Sequence, residues 1–325
     1  MSSQRQPQSR AARPIPDPLD PQETIALERS WFPRAGVLAI LGGLLPIVAS
    51  VLQILATRDL PTDAASVQSV ADAVTRYAAG ESGLHGFQAQ RTVALGDKAG
   101  LVITSAILSG LGAVLAAPVL LGLLRAAYRR RPSFPRWFLW LPLVGGVLFG
   151  VGSAVALTYG AVNMSDFASL PAAQQTNAAA TDALQSAGDD LGPLLIVSSL
   201  AQMLFAVGLG AAALSAMNVG LLTRAMGIIG VLLAVLVVIP IVDQQGFLRS
   251  FWLIFLGVLL LGRWRGGRPE AWEAGLPRPW PTRAEQLEAA ERARAAKQNA
   301  TTPASDDDAP APTPKSGNRS KKRRK

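Results

Sequence analysis

The feature that most limits this chain is a series of long apolar stretches that carry almost no charge. Six of them lie between residues 35 and 262, at residues 35–57, 99–124, 137–160, 191–216, 225–242 and 247–262. A helix needs about 20 apolar residues to cross roughly 30 Å of hydrocarbon. The first four stretches meet that length without a charged residue. The fifth is shorter but dense in Ile, Leu and Val. The sixth is the shortest and carries Arg249 in its first turn, from where the side chain is expected to snorkel to the headgroups. Charged residues make up 16% of the 325-residue chain, against about a quarter in an ordinary soluble domain. That excludes a soluble enzyme, a disordered chain and a disulfide scaffold. The expectation is an all-α, polytopic transmembrane helix bundle of about six spans, with helical outer loops and a disordered basic C-terminal tail.

Charge asymmetry orients such a bundle. Residues 125–136 hold five arginines (Arg125, Arg129, Arg130, Arg131 and Arg136) and no acid, whereas residues 161–190 hold four aspartates and no Lys or Arg. Arg224 separates the fourth and fifth stretches, and Arg263, Arg265 and Arg268 follow the sixth. Basic residues collect in cytoplasmic loops, so both termini are expected in the cytoplasm and the protein in the cytoplasmic membrane. Trp31, Trp137, Trp140, Trp252 and Trp264 stand near the borders of the stretches, where an indole has one apolar and one wet side. No Sec-type signal peptide is evident before the first stretch. Three regions are expected: a polar cytoplasmic segment 1–33, a membrane domain 34–263 and a cytoplasmic tail 264–325.

The tail carries seven of the nine net positive charges. Its WEAGLPRPWP run (272–281) reads as an extended segment near the headgroups. Residues 282–298 read as a solvated helix, with Thr282 as its cap, Glu285 in the capping-box position and Glu288 paired with Arg292. Beyond that helix the sequence is low in complexity and reads as disordered. It ends in Arg319, Lys321, Lys322, Arg323, Arg324 and Lys325. Together with Arg129, Arg130 and Arg131, the terminal Lys321, Lys322, Arg323, Arg324 and Lys325 are assigned to contact with anionic headgroups. No aromatic residue is interleaved with them, so the sequence does not support nucleic-acid binding by base stacking. The first outer loop, 58–98, is expected to hold a helix starting at Pro61, and the loop after the third stretch has a similar plan. A protein partner is expected on these outer loops or on the tail.

Chemistry-bearing residues are few. The chain has no cysteine and a single histidine, His85, which reads as a solvated loop residue. P-loop, G-x-G-x-x-G, H-E-x-x-H and G-x-S-x-G motifs are absent. No ionisable residue lies deep in the first five stretches, which argues against a proton-coupled transporter or a pump. Gln53 and Gln202 are the intramembrane polar residues singled out, because a buried amide needs a partner. Gly146 and Gly150 form a G-x-x-x-G expected to serve packing within the bundle, and Pro46, Pro118, Pro142 and Pro240 are expected to kink four spans. Local similarity between LGGLLPIVAS (41–50) and VGGVLFGVGS (144–153) suggests a parallel duplication of two hairpins. Acids at the outer mouths, Asp243 among them, read as ordinary loop residues.

Arginine far exceeds lysine, 25 to 6. With VGLLTRAMGIIGVLLAVLVV (219–238) and PRPWPTRAEQLEAAERARA (277–295), this layout resembles the uncharacterised multi-pass membrane proteins of high-GC, actinobacterial-type bacteria. The resemblance implies a membrane location and brings no residue roles with it. The function expected is that of a non-catalytic structural or interaction component of the membrane, with no catalytic residue, cofactor or metal. The alternative is a carrier or channel for a lipid-like or apolar small molecule.

Overall fold

The structure, a computed structural model, describes residues 20–60, 78, 87–239, 246–281 and 283–301. The helix expected after Pro61, His85, Asp243 and the basic cluster Lys321–Lys325 lie outside these residues. The described residues contain helices and no strand. They divide into two compact units, one ending at Trp280 and the other starting at Pro281. The first unit contains α1 (Pro21–Thr57), α2 (Phe87–Gly96), α3 (Ala99–Arg130), α4 (Leu141–Ala168), α5 (Asn177–Asn218), α6 (Arg224–Val238), α7 (Phe247–Leu260) and α8 (Glu270–Ala274). The second contains α9 (Arg283–Thr301), whose exposed Glu288 and Arg292 pair at 3.1 Å one turn apart.

Four helices, α1, α3, α4 and α5, are long and apolar enough to cross a membrane. α1 and α5 begin where the sequence supplies a capping residue. Asp20 accepts a bond from the Gln22 amide and Pro21 follows it, so α1 starts well ahead of its apolar stretch. Thr176 and Thr223 cap α5 and α6 by accepting from the Ala179 and Met226 amides. At 37 residues, α1 is about 55 Å long, so the polar segment before residue 35 is in large part its first turns. By contrast α6 and α7, with 15 and 14 residues, are only about 22 Å long each.

Small residues set the distances between helices. Around the unit α7 packs on α1, α1 on α3, α3 on α4, α4 on α5 and α5 on α6, and α3 also meets α5. A side chain at Gly43 would run into the Ser250 carbonyl of α7 and Ile254 beside it. Gly36 and Gly257 face each other in the same way across α1 and α7. Gly42 lies against Gly112 and Ala116, and Gly110 against the Gly150 backbone. Gly146 abuts Ala117 and Phe205, so the G-x-x-x-G serves packing within the chain. Large apolar side chains point outward: Val37, Val51, Leu148, Leu200 and Met203 are each about half exposed. Small residues at the helix contacts and many large apolar ones outward, around a core that includes Leu120, Leu124, Phe205 and Leu256, is an arrangement that suits a helix bundle in lipid, where close backbone approach replaces a hydrophobic drive.

The two ends of the bundle differ. At one end α2 joins a small cluster of Ala89, Phe167 and Ala180, and the Ala89 amide donates to Asn177 Oδ1 at 3.0 Å. There Lys98 Nζ contacts Asp59 Oδ2 at 2.9 Å. The lysine holds the Asp59 carboxyl below its ordinary value, first through the hydrogen bond and then through charge. This contact therefore stabilises at pH above the ordinary carboxylate range and is lost as pH falls through the lowered value. The arginines gather at the other end, and the run 272–280 does not extend along headgroups as its composition suggested. Trp272 is buried, and its Nε1 donates to Leu221 O at 2.8 Å. Trp280 Nε1 donates to Leu222 O at 2.8 Å, and the Arg278 amide to Val219 O at 3.0 Å. Gly220 has φ of +81° and lies against the Arg278 carbonyl, so a side chain there would be both strained and obstructed.

Gly43→Val is expected to force α1 and α7 apart and destabilise by about 1–3 kcal/mol, as overpacking does. Gly100→Ala, in a helical position with open space around it, is expected to be neutral or stabilising by up to about 1 kcal/mol. Thermal melts in detergent compare the two; equal losses would remove close approach as the reason for Gly43.

Candidate functional site

The C-terminal turns of α3 place three arginines on two faces. Arg125 and Arg129, four residues apart, share one face, and Arg130 takes the next. Arg130 turns inward. Its side chain is fully buried, with Nη1 on Glu28 Oε1 at 2.5 Å and Nη2 on Glu28 Oε2 at 2.9 Å. Nη2 and Nε also donate to Ala271 O, Nη1 to Ala126 O, and the guanidinium lies 5.5 Å from the Trp272 ring. Glu28 is equally buried. Arg130 is thus turned away from the headgroups to which the sequence assigned it, because a carboxylate and a carbonyl inside the protein take its donors. Arg131 is exposed, and Arg129 is half-buried.

Arg125 and Arg129 border a cavity of about 270 Å³ between α1 and α3. Leu27, Trp31, Pro118 and Leu121 supply its apolar wall, and Gly122 gives the room in which Trp31 lies across α3. The Arg125 guanidinium stacks 4.7 Å from the Trp140 ring. Glu28 also reaches this wall, but its two oxygens are committed to Arg130. The cavity therefore combines two cations with an apolar floor, which suits an amphiphile with an anionic head. Also at this end, Arg268 donates to Leu260 O at 2.6 Å and lies 4.3 Å from the Phe32 ring. Burial lowers its pKa from the ordinary arginine value.

A second cleft, about 190 Å³, lies in the opposite half of the bundle. Ser50, Gln53, Ser105 and Ser109 line it together with Ala49, Ala106 and Leu157. Ser105 Oγ donates to Gln53 Oε1 at 2.9 Å, so Gln53 joins α1 to α3 and also borders a cavity. Gln202 is placed differently. Its Nε2 donates to Val237 O at 2.5 Å, in the last turn of α6. Arg249 does not lie at the end of the bundle, as a snorkelling residue would. Its guanidinium lies 6.0 Å from the Phe205 ring, within α5 and away from its ends. Among the described residues no three His, Cys, Asp or Glu side chains gather as a metal site requires.

The structure therefore separates the residues that the sequence grouped. Gln53 and Gln202 sit in different places, and Arg125, Trp31 and Glu28 matter at the basic end although none was singled out as a site residue. The signal for Glu28 was present: Thr24, Glu28, Phe32, Ala35 and Ala39 are all buried at helical spacing, continuing the inner face of α1 into its polar segment. Comparison with protein-family models, with curated proteins and with solved structures gave no match.

Removing one member of the buried pair leaves a bare charge in the protein, so Glu28→Ala is expected to destabilise by about 3–5 kcal/mol. The double variant Glu28→Leu with Arg130→Met is expected to recover most of that loss. Asp59→Asn, at an exposed pair, should leave the melting temperature nearly unchanged. A double variant no more stable than Glu28→Ala would show that the pair does more than neutralise itself.

Proposed function

We propose that this chain is a multi-pass protein of the cytoplasmic membrane, acting as a non-catalytic structural or interaction component that seats an anionic phospholipid at its basic end. The observation that carries this reading is the cavity of about 270 Å³ with Arg125 and Arg129 over an apolar wall. A phosphate would meet two guanidinium groups there, and an acyl chain would meet Leu27, Trp31, Pro118 and Leu121. Arginine suits this task because its planar fork matches phosphate oxygens. The basic end faces the cytoplasm in this reading, since positive residues are retained on that side. Four crossings return the chain to the side on which it began, so both termini share the cytoplasmic face. The tail, with its net positive charge, adds attraction to anionic lipid or a surface for a protein partner.

A second reading, a carrier for a lipid-like or apolar molecule, is favoured by the polar cleft around Gln53, Ser105 and Ser109. The two readings differ in which residues matter. Native mass spectrometry of the purified protein, with phosphatidylglycerol against phosphatidylcholine, is expected to show retained phosphatidylglycerol only. Arg125→Gln with Arg129→Gln is expected to lower that retention about tenfold or more, corresponding to the loss of at least one charge-assisted contact. Retention unchanged in the double variant would overturn the headgroup site. Flux of an apolar solute in liposomes that is lost in Gln53→Ala would instead support the carrier.

A further inference from the structure

We infer that α6 and α7 form a re-entrant pair that enters the bilayer from the basic face, with their inner ends, Val238 and Phe247, at mid-depth and Arg249 held there. This rests on the membrane reading above. The two helices number 15 and 14 residues and span about 22 Å each, short of the roughly 30 Å hydrocarbon layer. Length alone does not settle the matter, but position does. α6 begins and α7 ends against the basic end: Thr223 caps α6 beside the turn that Trp272 and Trp280 hold, and Arg268 bonds the Leu260 carbonyl at the end of α7.

Their other ends stop in the centre. On α7, Gly257 lies against Gly36 and Ile40, and Ser250 against Gly43, so Phe247 comes level with the region of Pro46. From there α1 runs on to Thr57, about 16 Å further. On α6, Gly227 meets Met217, Gly230 meets Ala213 and Val237 meets Gln202. From Gln202 the apolar part of α5 continues to residue 191, again about 16 Å. The central layer is marked by the long helices where Gly112 lies against Pro46, and Phe205, packed against Gly146 at the level of Ala117, lies five residues of α3 nearer the basic end. Phe205 is the ring that the Arg249 guanidinium approaches.

Two local features fit helix ends at that depth. A helix that stops in hydrocarbon leaves carbonyls without water. The Gln202 amide supplies a donor to the Val237 carbonyl at that point. At the start of α7, Gly246 has φ of +71° and lies against the Arg249 guanidinium, which folds back onto it. An ionisable group inside the bilayer is costly and is tolerated where protein or water surrounds it. The half-buried Arg249, between Phe205 and Gly246, has that protein surround.

The chain has no cysteine, so single spin labels are introduced at one position at a time in otherwise unaltered protein. In phosphatidylglycerol–phosphatidylcholine vesicles, the ratio of oxygen to nickel-chelate accessibility reports depth. Leu248, Phe251 and Phe255 are each about half exposed and accept a label with little disturbance. Val37, Val48 and Ile54 of α1, similarly exposed, provide the scale. The hairpin requires depth to fall in the order 248, 251, 255, with position 248 closer in depth to position 48 than to 37 or 54. If α7 crossed the whole bilayer, 248 would be shallow, like the far end of α1, and 251 and 255 would be deeper. That order would overturn the hairpin while leaving the membrane reading intact. A flat scale along α1 would overturn the membrane reading and the hairpin together. Should one labelled variant fail to fold, the order of the other two still decides, since the alternatives reverse the slope along α7.

Discussion

The basic end of the bundle is organised around one buried contact, the two-pronged pair of Arg130 and Glu28. Taking both charges from water costs several kcal/mol each, and the loss is recovered only where geometry is good and every donor is met. Here both oxygens of Glu28 are used, and the remaining donors of Arg130 reach two backbone carbonyls. Three parts of the chain are tied by it: the early turns of α1, the last turns of α3, and α8. Phe32 packs edge-on to Trp272 at 5.0 Å beside the same point, so apolar contact reinforces the polar one. The pair also shapes its surroundings. With Glu28 neutralised, Arg125 and Arg129 face the neighbouring cavity as a net positive wall.

Further along the helices, contact of a different kind takes over. Lipid is as apolar as leucine, so burying leucine against leucine gains little there, and association depends on how closely backbones approach. The glycines at 36, 43, 110, 146, 150 and 257 each remove a side chain where another helix passes. Tryptophan completes this scheme where the helices turn. The Trp252, Trp272 and Trp280 indoles donate to the Met226, Leu221 and Leu222 carbonyls, all around the junction of α5 and α6. The Trp252 ring fills the space that Gly230 leaves, and the Trp272 and Trp280 N–H groups satisfy carbonyls of the junction itself.

Much of this was legible in the sequence because hydrocarbon imposes few solutions. The four long helices follow directly from uncharged runs of more than 20 residues, and a helix over 282–298 matches α9, with Thr282 outside the described residues. What the sequence concealed was depth and direction. Arg249 sits in the first turn of an apolar helix whether that turn lies at a surface or in the interior, and residue spacing does not distinguish the two. Arg130 looked like its neighbours Arg129 and Arg131, because only a partner 102 positions away makes it different. Gln202 was rightly seen to need a partner, but that partner is a backbone carbonyl, which no residue type announces. The tail run 272–280 misled for a similar reason: prolines predict an extended chain, and its tryptophans serve a helix junction as well as they would serve headgroups.

The Ala271 carbonyl has a bearing on how the protein is made. A ribosome delivers α1 and α3 long before residue 271 exists. Glu28 and Arg130 can meet early, yet the carbonyl that completes the guanidinium's shell, and the Trp272 ring beside it, arrive only after all six apolar helices have been produced. Closure of the basic end is therefore a late step of synthesis, and a chain interrupted before Trp280 would lack the groups that complete that junction.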